Sequence, residues 1–65
     1  MTVIFKYPNK NFNPQGIEYI PRVGELIENS DSGKLFKVTK VKYKIPFSQK
    51  PDLPNIVEIT LEYSE

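Results

Sequence analysis

The segment IVEITLEY at residues 56–63 alternates without interruption, with Val57, Ile59, Leu61 and Tyr63 on one parity and Glu58, Thr60 and Glu62 on the other. That period of two, carried by β-branched and aromatic residues, specifies a strand with one buried and one wet face. It also tells the rest of the chain what it must do. A strand of this kind needs neighbours to pair with and an apolar layer to cover it, and no stretch of the sequence has an amphipathic helical period long enough to supply that cover. The expected fold class is therefore all-β.

The other strands are read in the same way. TVIFKY, residues 2–7, alternates Val3, Phe5 and Tyr7 with Ile4 and Lys6. PNKNFNPQG, residues 8–16, combines prolines, asparagines and a glycine and is expected to be a loop. IEYI, residues 17–20, has the composition of a short strand that Pro21 ends. In PRVGELIE, Pro21 and Gly24 make a tight turn into the strand ELIEN, and NSDSG at 29–33 makes a second turn closed by Gly33.

The long run GKLFKVTKVKYKI follows. Its apolar parity changes phase between Phe36 and Val38 on one side and Val41, Tyr43 and Ile45 on the other, which one extra residue near Thr39 or Lys40 would produce. A β-bulge supplies such a residue and bends the strand. PFSQKPDLPN, residues 46–55, with three prolines, must be irregular. The expectation is a single domain over residues 1–65: a small, strongly twisted, SH3-like barrel of about five antiparallel strands, bulged in the long strand at 34–45.

A chain of this length buries only roughly 60% of the surface its unfolded form exposes. Small domains usually offset that shortfall with disulfides, a metal or self-association. With no cysteine and no histidine, disulfides and the thiolate or imidazole ligands of structural zinc are ruled out, so a homo-oligomer is expected. No apolar run approaches the roughly 20 residues that span a bilayer, and Met1 leads directly into strand-like sequence. The chain is expected to be cytoplasmic, complete from its first residue and without cofactor.

Catalytic chemistry finds little to work with. The common Ser/His and Cys/His arrangements need a histidine. Gly16, Gly24 and Gly33 are isolated and precede strands, unlike the clustered glycines of phosphate loops. Asn29, Asp31 and Gly33 alternate as in a calcium loop, but the twelfth position, where a bidentate glutamate belongs, is Lys40. Glu25 and Glu28, at odd spacing on a strand, would face opposite sides. A non-enzyme is the expectation.

Net charge is +1, yet it is unevenly spread: residues 34–50 hold six lysines and no acid, and residues 51–65 hold four acids and no lysine. With Val41, Tyr43 and Ile45 inward, Lys40, Lys42 and Lys44 point outward. Antiparallel pairing with residues 56–63 would set them beside Glu58 and Glu62 as a solvated charge ladder that discourages edge pairing. A stripe tracking nucleic-acid phosphates is the alternative, although such platforms want exposed aromatics among the basic residues. Phe12, Phe47 and Leu53 lie in proline-rich loops, where they either cap the open ends of a barrel or meet a partner.

PRVGELIE, then GKLFKVTKV, then IVEITLEY, a pattern over most of residues 20–63, resembles short SH3-like β-barrel proteins encoded by phages and other mobile elements. The resemblance implies a fold, and a range of roles from nucleic-acid accessory and assembly component to inhibitor or ligand sponge acting against host defence. It transfers no individual residue. The functional expectation is a non-enzymatic module, in a bacterial cytoplasm if phage-encoded, that binds a protein partner or small ligand through Phe12, Tyr19, Arg22, Phe47, Lys50 and Leu53. Weak nucleic-acid binding through Lys40, Lys42 and Lys44, and an oligomeric sponge for a nucleotide signal, are the alternatives.

Overall fold

The computed structural model describes residues 2–8, 10–14, 17, 19–48 and 52–64. Five strands run in chain order: β1 (Thr2–Tyr7), β2 (Lys10–Phe12), β3 (Leu26–Asn29), β4 (Lys34–Lys44) and β5 (Ile56–Ser64). They form one sheet in the order β2-β1-β5-β4-β3, with no helix among the described residues. The sheet curls into a half-barrel with β2 and β3 at its free edges, so the small all-β fold of the sequence reading is present as a curled, open sheet.

The expectation of all-antiparallel pairing is corrected. β1 lies parallel to β5, with Val3 opposite Val57 and Phe5 opposite Ile59, and the Thr2 amide donates to the Asn55 carbonyl at 3.0 Å at the start of the pair. Parallel neighbours need a long connection, and here everything from β2 to β4 supplies it. Alternation is the same whichever way a strand runs, which is why the direction could not be read from TVIFKY.

Two further corrections concern the first half of the chain. Lys10–Phe12, expected in a loop, pairs with β1 as a three-residue strand. Residues 17–20, expected as a strand, are irregular at the described positions 17, 19 and 20. Ile17 and Ile20 instead pack on the core from the concave side, and Pro21 is buried beside them. β-branched composition here served burial without a ladder, and in a sheet with no helices this irregular segment provides part of the missing second layer.

The bulge is present. Register shifts between Val38 and Lys40, so that Val38 faces Leu61 while Val41 faces Ile59. Thr39 is the extra residue, and its hydroxyl donates to the Thr60 carbonyl at 3.4 Å. The consequence is the one the parity demanded: Phe36 and Val38 before the bulge are buried and Val41 after it is half-buried, all against the core. Beyond Val41 the expectation fails. Tyr43 and Ile45 are each 50% exposed: Tyr43 still stands opposite the buried Val57, but β3 pairs with β4 only as far as Lys37, so this part of β4 lacks a neighbour on its other side.

That core consists of Phe5, Phe36, Val38, Val57, Ile59 and Leu61, of which Val38, Val57 and Ile59 are fully buried. Three of the six come from β5, the central strand, which explains why its alternation was the cleanest in the sequence.

Both turns form as the sequence specifies. At PRVGE the Glu25 amide donates to the Arg22 carbonyl, Gly24 takes φ 96°, and the Gly24 amide donates to the Val38 carbonyl while the Val38 amide donates to that of Glu25. Two residues thus oppose one, a glycine-type bulge that launches β3. Glu25 adds a carboxylate bond to the Arg22 amide at 2.7 Å. In the second turn Asn29 accepts the Asp31 amide through its side chain and the Ser32 and Gly33 amides through its carbonyl, with Gly33 at φ 76°.

Candidate functional site

The curl of the sheet brings together residues that its strand order holds apart. Phe12 on edge strand β2 and Ile27 and Asn29 on the opposite edge strand β3 line the same cleft, although four inter-strand steps separate them. In a flat sheet those steps would amount to about 19 Å. The cleft has a volume of about 420 Å³. Its floor is Phe5, Tyr7, Phe36 and Leu61, and its rim on the β3 side is the polar run Glu28, Asn29, Ser30 and Asp31.

The aromatic residues of this end pair in two groups, Tyr7–Phe36–Tyr63 and Phe5–Phe12. The Tyr7 and Phe36 ring centroids lie 5.3 Å apart, and those of Phe36 and Tyr63 5.1 Å apart. Phe12 leans on Phe5 at 6.4 Å. These separations fall in the favourable range for tilted aromatic pairs. The Lys34 ammonium sits 5.7 Å from the centre of the Tyr63 ring, within cation–π reach. Phe36 is buried and fixes the array, whereas Phe12 and Tyr63 are more than half exposed. The cleft floor is thus largely buried, with the Phe12 ring exposed at its margin and that of Tyr63 outside it.

Of the five described residues expected at a binding site, Phe12 lines this cleft and the other four do not. Tyr19 and Arg22 are exposed near the turn before β3, and the Arg22 backbone is tied to Glu25. Phe47 and Leu53 are exposed in the β4–β5 connection, at the far end of β4 from Phe36. Lys50 lies outside the described residues. Tyr7, Ile27, Phe36 and Leu61 were missed as site residues because each has the sequence signature of a core position. They line the cleft because the half-barrel stays open at their end.

The convex face carries the lysines. Across the sheet Lys42 faces Glu58, Lys40 faces Thr60 and Lys37 faces Glu62. Lys44 Nζ lies 2.8 Å and Lys6 Nζ 3.7 Å from the Glu58 carboxylate. The Lys44 hydrogen bond, helped by the charges of Lys44, Lys6 and Lys42, outweighs desolvation and holds this carboxyl below its ordinary value. Glu58 is therefore the hub of the expected ladder. Glu62 stands directly opposite Lys37, with Lys40 only its diagonal neighbour across the bulge and Lys42 and Lys44 further along.

Glu25 and Glu28, considered above as a carboxylate pair, are separated in role, Glu25 closing the turn and Glu28 standing on β3 at the cleft rim. No family model matches the sequence, and neither a curated protein nor a solved structure matches the chain.

Proposed function

We propose that this protein is a non-enzymatic binding module whose ligand enters the aromatic cleft at the open end of the half-barrel. The supporting observation is the cleft itself. Its volume, about 420 Å³, falls within the roughly 300–1,000 Å³ of ligand pockets, and it combines an apolar aromatic floor with a few polar groups on one side, as such pockets do. A planar or apolar group of a partner protein or small molecule would lie against Tyr7, Phe12 and Phe36, and donors on it would meet Asn29 and Asp31. A modulator or inhibitor of a host system, acting in a bacterial cytoplasm, is the biological role in keeping with this chemistry and with the resemblance noted from the sequence.

The test is a screen of small aromatic fragments against the isotope-labelled protein, read by amide chemical shifts. Shifts concentrated at residues 27–31 and at Tyr7, Phe12 and Phe36, weakened at least tenfold by Phe12→Ser, support the reading. Shifts scattered over the surface, or unaffected by Phe12→Ser, overturn it.

The nucleic-acid alternative keeps one favourable observation. Lys6, Lys37, Lys40, Lys42 and Lys44 share the convex side with Glu58 and Glu62, an excess of positive charge. It predicts binding of single or double strands that falls steeply with salt, and titration at low salt decides it. A nucleotide sponge draws less support. The described residues lining the cleft include Glu28 and Asp31 and no lysine or arginine to meet a phosphate.

A further inference from the structure

We propose that the projecting end of the β4–β5 hairpin is a self-association surface, on which a second copy of this chain packs arm against arm about a two-fold axis. The apolar side of β4 continues past Lys37, the last residue that β3 pairs with, and on into the connection. Val41 is half-buried, Tyr43 and Ile45 further along are each 50% exposed, and Phe47 and Leu53 in the connection are 91% and 47% exposed. About half of Tyr43, Ile45 and Leu53 and nearly all of Phe47 thus stay uncovered. The shape agrees: the radius of gyration is 12.9 Å and the long axis 41 Å, against about 10.7 Å for the radius of a compact chain of this length. An eleven-residue strand is about 36 Å long, so the extension is that of the hairpin.

Area and charge both favour a second copy as the occupant. At about 200 Å² for a whole large side chain, the four residues leave on the order of 450 Å² of apolar surface open. That matches the non-polar share of a standard interface of about 800 Å² per partner. A two-fold contact requires a surface that tolerates itself. Lys42 and Lys44 stand on the other side of the strand, beside Glu58, so two arms meet on their apolar sides without bringing these lysines together. Association would also add the buried surface that a chain this small lacks. The cleft is not involved: Phe36 and Tyr43 are about 23 Å apart along β4, so it stays open in the pair.

Sedimentation of the full chain from about 1 to 100 μM tests the proposal, at concentrations that bracket a micromolar dimer. The expected result is a dimer that Ile45→Lys with Phe47→Ser weakens at least tenfold, with dispersed amide spectra showing the sheet intact, and that Leu26→Lys on the β3 edge leaves unchanged. Isotope-filtered spectra of mixed labelled and unlabelled protein should place Tyr43 and Phe47 of one copy beside the arm of the other. A wild-type monomer at 100 μM overturns the proposal. So does a dimer that survives the arm variant, or one that Leu26→Lys dissolves.

Discussion

Glu58 is largely enclosed, with 14% of its side chain exposed, yet it stays charged because Lys44, Lys6 and Lys42 surround it. Its effect on stability has a definite sign. The folded pKa lies below the ordinary 4.5, so the carboxylate contributes stability above that value, and the contribution is lost as pH falls through the lowered folded pKa. Urea midpoints measured between about pH 6 and pH 3 should therefore drop for the wild type, and Glu58→Gln should remove part of that acid limb. A limb identical in both proteins would show that the ion pairs contribute nothing. Ile59, fully buried on β5, tests packing instead. Ile59→Ala is expected to cost about 2–5 kcal/mol, a large share of the roughly 3–10 kcal/mol available to a chain of this length. Loss of a cooperative urea transition, or a marked fall in its midpoint, is the expected reading.

At the scale of elements, the two bulges set the geometry. Gly24 holds φ 96° with nothing within 4 Å of where a Cβ would stand, so Gly24→Ala introduces backbone strain without a clash. The expected loss is about 1–2 kcal/mol, and Gly24→Asn should lose less, because asparagine tolerates that region. Equal losses for the two variants would point to a cause other than backbone conformation. Thr39 is the extra residue of β4, and its deletion would turn either Phe36 and Val38 or Val41 away from the core. Loss of dispersed amide signals is the expected outcome. These features were legible: a phase change in the apolar parity located the bulge, and turn chemistry located Gly24 and Gly33. The IEYI segment was misread because β-branched residues are equally suited to packing on a sheet as irregular chain.

At the scale of the molecule, the two ends of the half-barrel present different chemistry. One end gathers Tyr7, Phe12 and Phe36 around a cleft with a polar rim. The other presents Tyr43, Ile45 and Phe47, each exposed over half of its surface or more. Phe12→Ser is expected to reduce ligand binding and leave association unchanged, and the arm variant is expected to do the reverse. Sedimentation and shift mapping on the same two variants check that independence.

The sequence by itself determined that β1, β3, β4 and β5 are strands, which parity of β5 turns inward, where β4 bulges and where the turns at Gly24 and Gly33 fall, because alternation and turn preference are local properties of the backbone. It also determined that Glu58 would meet lysines. The tertiary structure alone decided that β1 runs parallel to β5, that the sheet stops at a half-barrel, and that Phe12 and Asn29 share a cleft. Strand direction leaves no trace in a period of two. Curl is a sum of small twists over the whole sheet, so the neighbours it creates are written in no single stretch of the chain.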